Sequence, residues 1–454
     1  MNPREVKSVA DARAIVEERG LSHIKVGVTD LDGVLRGKYV AREKFLSGLD
    51  SGLGFCDVVL GWDVDDQTYD NVKFTGWHTG FPDKAIRVIP ESCREIPFEP
   101  ETLFFLCEFS EPADEICPRG ILRRTLAKAD TMGFSAYASL EYEFFVFEET
   151  PHSVREKGYK NLRPLTPGSF GYSVLRSSTG FEFYQELLQL CQTMDMPLEG
   201  LHTETGPGVL EGCITVDNAL NAADKAVLFK TFAKVCAQRR GLMATFMAKW
   251  SHQQPGQSGH IHLSLKKDNA PAFYDAEKPH AISDTMRHFI GGQQALMPEL
   301  MAMVGSTVNS YSRLVPGLWA PTNATWAIDN RTSAIRAIPG SPKSQRVEYR
   351  VAAADANPYL ALSAALASGL WGIENAIEPD EPITGNAYAV EAAEIRKLPA
   401  SLWDAAQRYK ASEAARTLFG DGFVEHYAAS REWEERMFRK HVTDWELARY
   451  FEII

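Results

Sequence analysis

The most constraining stretch of this chain is LEYEFF, within the strand-like run 137–147, where Glu141 and Glu143 alternate with apolar and aromatic side chains. Strand alternation sends both carboxylates to one face, about 7 Å apart along the chain. Two carboxylates facing one way from an aromatic-rich strand call for cations. Residues 258–265 repeat the arrangement, with His260, His262 and Ser264 on one face. Glu204 and Glu211 flank the turn TGPGVL, and Glu348 sits between Arg346 and Arg350 on the strand-like run 345–351. Singly, each is explained as a solvated or hydrogen-bonded side chain. Together, five carboxylates and an imidazole form an oxygen-rich donor set that suits Mg²⁺ or Mn²⁺ rather than zinc.

The rest of the pattern places these segments. Residues 8–20 read as a short helix, with Ser8 and Asp11 at capping spacing and Gly20 as a stop. Runs 24–29 and 34–40 alternate around Asp32-Gly33, a hairpin signal, and 85–89 and 103–109 are further strands. The first 110 or so residues thus read as a small sheet-rich domain with one helix. The polar link EFSEPADEICPRG, broken by Pro112 and Pro118, sets a boundary near residue 115, giving domains 1–115 and 116–454. Beyond it, 217–240 carries an N-cap Asp, helix-period apolar residues and a following glycine. Run 358–372 is a buried helix too short for a membrane span. No internal repeat or low-complexity tract is present, and the class is α+β.

Composition narrows the function. With 48 basic and 60 acidic residues the net charge is −12, and no basic block occurs, which argues against nucleic acid or a membrane surface as partner. The N-terminus lacks a secretory apolar core and no stretch reaches membrane length, so a cytoplasmic location is expected. Seven scattered cysteines without a CxxC pair read as reduced thiols packed as small apolar groups. Gly33 to Tyr39 falls one residue short of a phosphate loop, and GPGVLEG is spoiled as a dinucleotide pattern by Pro207. No GxSxG supports a serine nucleophile.

In order, LEYEFF, GPGVLE, SGHIHLSL, NSYSRLVPG, NRTSAIR, RVEYR and ANPYLA strongly resemble the glutamine synthetases and related glutamate–amine ligases, across nearly the whole chain. The tail VTDWELARYFEII is similar to the family's polyamine-type, gamma-glutamylpolyamine synthetase-like branch. The resemblance implies an N-terminal β-grasp domain and a C-terminal glutamine synthetase-type catalytic α/β domain. It implies ATP as co-substrate and two or three Mg²⁺ or Mn²⁺ ions per active site. Glu143, Glu204 and Glu211 match ligands of the metal nearer glutamate, and Glu141, His260 and Glu348 those of the metal that bridges the phosphates. His262, Ser264, Lys343 and Arg346 match nucleotide-side residues. Arg313 matches the residue that holds the α-carboxylate of glutamate, Gly256 lies among glutamate-side backbone contacts, and Arg331, Arg336 and Arg350 match phosphate and phosphoryl contacts. Asp63 matches the amine-deprotonating Asp, with Trp62 and Asp66 beside it; Asp66 could equally lie in a solvated turn. That Asp comes from the neighbouring subunit in the family, which implies a ring homo-oligomer, commonly a dodecamer, with intersubunit active sites.

The chemistry agrees with the resemblance. A carboxylate acylates poorly until ATP phosphorylates it, and guanidiniums with metals spread the charge of the transferring phosphoryl group. One departure bears on the amine. After NSYSRLVPG, where ammonia-using members carry a Glu, this chain has Trp319. Removing a carboxylate about 4 Å from a cation forfeits on the order of 4 kcal/mol at an effective dielectric near 20, before desolvation. An indole offers apolar or cation–π contact instead, or simply packs a loop. The expectation is a ligase that joins L-glutamate through γ-glutamyl phosphate to an alkyl-, hydroxyalkyl- or arylamine bulkier than ammonia. Its rivals are an ordinary ammonium-using glutamine synthetase, a polyamine-specific ligase and a non-catalytic homologue.

Overall fold

The computed structural model describes residues 1–454. Two sheets share one hydrophobic core of 112 buried side chains, so neither is closed separately. The first sheet contains β1 (His23–Thr29), β2 (Leu35–Ala41), β3 (Leu53–Cys56), β4 (Asp83–Val88), β5 (Arg94–Glu95) and β6 (Leu103–Phe109), in the order β2-β1-β6-β4-β3, with β5 on β6. β1 pairs parallel with β6 and antiparallel with β2. The β1–β2 turn closes on Asp30, whose Oδ1 accepts from Asp32 N and Val34 N. Gly33 takes φ +82° there, and a Cβ would lie 3.0 Å from Asn357 Cα, so the turn needs glycine.

This first region contains two α-helices, Val9–Glu18 and Arg42–Ser51, where the sequence reading expects one. Helix Val9–Glu18 is capped by Ser8, which accepts from Asp11 N. Helix Arg42–Ser51 was illegible because it starts on Ala41 without a side-chain cap and buries only Phe45, Leu46 and Gly48.

The larger sheet comprises β7 (Phe134–Phe147), β8 (Leu198–Thr203), β9 (Val209–Ile214), β10 (Asp217–Asn218), β11 (Met243–Thr245), β12 (Gly259–Lys267), β13 (Ala270–Pro271), β14 (Trp326–Ile328), β15 (Ile335–Ile338) and β16 (Arg346–Tyr349). Its main path is β14-β15-β16-β12-β7-β9-β8, antiparallel except for β14–β15. Helix Ala219–Arg239 is capped by Asn218 and not by Asp217; Asp217 instead pairs in β10 and binds Lys225 at 2.6 Å. Helix Pro358–Glu374 is buried almost all round, which explains its unbroken apolar sequence. No helix is long and apolar enough to cross a membrane.

Buried polar contacts join the two sheets' regions. Arg431 pairs with Asp32 at 2.7 Å, and Asn357 Nδ2 donates to Asp30 O and Leu31 O, both at 3.1 Å. All seven cysteines are free, and five are buried.

Candidate active site

The site is a consequence of strand register. In one rung of the larger sheet, His202 on β8 faces Glu211 on β9, which faces Glu143 on β7. Two residues back along β7, Glu141 lies between Cys213 on β9 and His260 on β12. In the next rung Ser139 faces His262, which faces Glu348 on β16, which faces Arg336 on β15. The period of two holds these side chains on a single face. Over that face lies a cleft of about 730 Å³. An adjoining cavity of about 490 Å³ shares Glu141, His202, Cys213, His262 and Arg346 with it and adds Ser264 and Lys343.

The donor atoms crowd together. His262 Nε2 lies 3.0 Å from Glu141, and His260 Nδ1 lies 3.5 Å from both Glu141 and Glu348. Three triplets could each hold an ion: Glu141, His262 and Glu348; Glu141, Glu211 and Cys213; and His202, Glu204 and Glu211. Of the six residues that the resemblance implies as ligands, Glu141, Glu204, Glu211 and Glu348 fall within these triplets. Glu143 turns its carboxylate to Ser258 N at 2.6 Å and belongs to none of the triplets. His260 keeps its buried Nε2 without a hydrogen-bond partner.

Electrostatics divides the carboxylates. Burial, reinforced by Glu143, Glu141 and Glu204, pushes Glu211 up to about 9, and burial likewise raises Glu143. For Glu141 burial acts upward, but the adjacent His260 and His262 imidazoles overcome it and hold the group well below the usual range. Glu348 is brought down to about 2 because Arg350 and both histidines outweigh its burial. Glu348 is bonded to Arg350, and Arg336 donates to it at 2.9 Å. A carboxylate at about 9 beside three others is a donor awaiting positive charge, so the residues fit a hard divalent cation.

The cationic residues ring the acids. Arg331, Arg336, Arg346 and Arg350 line the cleft. Arg346 Nε donates to His262 Nδ1 at 3.1 Å, which fixes that imidazole with its other nitrogen towards Glu141. Gly256 also lines the cleft, as does Trp319, which is 54% exposed.

Four sequence-chosen residues lie elsewhere. Arg313 is 1% exposed and does not line the cleft; it donates to Val351 O at 2.9 Å, Ser258 Oγ at 3.0 Å and Arg350 O at 3.1 Å. Trp62, Asp63 and Asp66 are likewise absent from this chain's cleft. Asp63 accepts from Trp433 Nε1 at 2.8 Å and from Asp65 N and Gln67 N at 2.9 Å. Arg36 pairs with Asp66 at 2.7 Å and its guanidinium lies 4.8 Å from the Trp62 ring centre. Conversely, the sequence reading passed over Ser139, His202, Cys213 and Tyr172. The i, i+2 spacings of His202 with Glu204 and Glu211 with Cys213 were available signals. Tyr172 stacks on His202 at 4.6 Å between ring centres, which no local pattern announces.

The site is thus a sheet face of carboxylates and imidazoles rimmed by guanidiniums. The family model for the glutamine synthetase catalytic domain matches residues 115–450, and the chain belongs to the glutamine synthetase family. It is 44% identical to type-1 glutamine synthetase 2 of Dictyostelium discoideum, over 95% of this chain and 84% of that protein. It is 38% identical to a glutamate–isopropylamine ligase of a Pseudomonas species over 100% of both. It is 34% identical to gamma-glutamylethanolamide synthetase GlnA4 of Streptomyces coelicolor, over 98% of this chain and 96% of that protein. A solved GmaS/ADP complex superposes with a TM-score of 0.84 at 26% identity, covering 97% of this chain and 99% of that one.

Proposed function

We propose that the protein is an ATP-dependent glutamate–amine ligase, forming a γ-glutamyl amide from L-glutamate and a primary amine larger than ammonia. Oxygen of the γ-carboxylate attacks the terminal phosphorus of ATP and ADP leaves. The amine nitrogen then attacks the acyl carbon, inorganic phosphate leaves, and a base takes the surplus proton from nitrogen. Arg331, Arg336 and Arg350 neutralise the phosphoryl oxygens, while His262, Ser264, Lys343 and Arg346 serve the nucleotide side. Glu141, Glu143, Glu204, Glu211, His260 and Glu348, joined by His202, would hold Mg²⁺ or Mn²⁺. Bound there, the ions would supply neutralising charge to the phosphate oxygens.

The observation that carries the choice of amine is Trp319. Its indole lines the cleft, on a backbone at φ +60° that costs a non-glycine residue about 1–3 kcal/mol. Relatives named for isopropylamine and ethanolamide chemistry support the same reading. Because Trp62, Asp63 and Asp66 stand outside their own chain's cleft, we assign them to the site of an adjacent copy in a ring homo-oligomer, with Asp63 as the proton acceptor. The division at residue 115 separates the part that lends this Asp from the part that carries the cleft.

Phosphate release across a panel of amines, with mass detection of the γ-glutamyl product, tests the proposal. An organic amine should give the highest kcat/KM. Ammonium as the best nucleophile would instead make the protein a glutamine synthetase, the activity named for the Dictyostelium relative.

A further inference from the structure

Away from the cleft, a cavity of about 400 Å³ lies in the seam between the two sheets and shares no lining residue with the active site. The β1–β2 turn at residues 32–35, helix Ala219–Arg239, β11 and the segment before helix Val308–Ser312 form its walls. The long helix contributes Lys230 and Lys234, which fall on one face at i, i+4. Lys230 is 7% exposed, and its Nζ donates to Ala356 O at 2.8 Å. That ammonium also lies 5.5 Å from the Tyr142 ring centre and 5.9 Å from that of Phe246, while Lys234 Nζ lies 5.8 Å from the same Phe246 ring. Two ammoniums therefore converge on a single aromatic ring, and neither is ion-paired.

The acids of the wall are already engaged. Asp32 is paired with Arg431 at 2.7 Å, and Asp355 accepts from the hydroxyls of Thr307 at 2.8 Å and Ser310 at 3.0 Å. The remaining polar wall residues include Thr231, Gln238, Thr245 and Ser306, which can donate hydrogen bonds. An ammonium has three donors, and Lys230 places one of them on protein. Burial, reinforced by the neighbouring Lys234 and opposed by the Asp355 carboxylate, lowers Lys230 to about 7.

We propose that the seam cavity binds a small dianionic oxyanion between Lys230 and Lys234, either inorganic phosphate or a short dicarboxylate. The two ammoniums match its two charges, the hydroxyl and amide groups meet its remaining oxygens, and the volume is that of a small-molecule site. A bound anion would touch both the β1–β2 turn and the helix behind β7, joining the two sheets' regions through a ligand.

Calorimetric titration of the full-length protein with phosphate and, separately, with succinate tests the site. At least one anion should bind saturably, and Lys234→Met should weaken that binding by about tenfold or more, the effect of losing a charge-assisted hydrogen bond. Thr231→Val, which keeps both charges and nearly the same shape, should weaken it less. Lys343→Met, in the nucleotide-side cavity, should leave it unchanged. Binding of phosphate alone or succinate alone identifies the source of the oxyanion. The proposal is overturned if neither anion binds, if Lys234→Met with an unaltered melting profile binds normally, or if Lys343→Met abolishes the binding.

Discussion

Gly256 lies directly against Arg313: a Cβ on the glycine would stand 2.4 Å from Arg313 Cγ and 3.1 Å from Ala248 O. The contact is with the middle of the arginine side chain, whose guanidinium is fixed by the carbonyls of Val351 and Arg350, so it cannot swing away. Gly256→Ala should cost about 1–3 kcal/mol, as overpacking does. It should also raise the KM for glutamate, because the cleft wall moves with Arg313. Denaturant unfolding together with glutamate saturation curves checks both; a variant with wild-type stability would show that the loop relaxes freely.

Glu211 gives a pH test with a definite sign. Raised to about 9, it is protonated at neutral pH in the cation-free protein. The folded state then binds a proton that the unfolded state has released, so cation-free stability falls as pH rises from the ordinary carboxylate range towards 9. A divalent cation replaces that proton. The melting temperature should therefore rise on adding Mn²⁺ or Mg²⁺, and by more at pH 8 than at pH 6. Glu211→Gln should flatten this difference, and a cation effect that is equal at both pH values would refute the coupling.

These residues show how far a sequence can be followed into such a site. Alternation alone located Glu141 and Glu143 on β7 and His260 and His262 on β12. It could not supply the register that sets Cys213 beside Glu141 or His202 beside Glu211, because pairing depends on which strands become neighbours. Arg313 stood out by its motif, yet its burial follows from packing under Gly256 and Ser258 across distant segments. Helix Arg42–Ser51 was hidden for a different reason: its polar residues outnumber its three buried positions, leaving little apolar period to read.

Trp319 should control the nucleophile. Trp319→Glu adds a carboxylate to the cleft and should raise kcat/KM for ammonium by about tenfold or more, a modest fraction of the Coulomb energy of a close pair. Trp319→Ala should lower kcat/KM for an apolar alkylamine by about tenfold, through loss of buried apolar contact. Competition assays with both amines read the two effects together. Unchanged preference in both variants would leave the indole without a part in amine selection.

Sharing of active sites between chains can be tested by mixing two inactive variants. Asp63→Asn removes the proposed proton acceptor while retaining an oxygen for Trp433 Nε1, which now donates to Asp63 Oδ2 at 2.8 Å. Arg331→Met removes a cleft guanidinium without touching the first sheet. Each variant alone should assemble normally and turn over poorly. If every site takes Asp63 from one copy and Arg331 from another, random co-assembly restores an intact pair in about a quarter of the sites. If both residues act from the same chain, no hybrid site is intact and activity stays at the level of the separate variants. Co-expression with two different tags, tandem purification of the mixed oligomer and a γ-glutamyl amide assay distinguish the two arrangements.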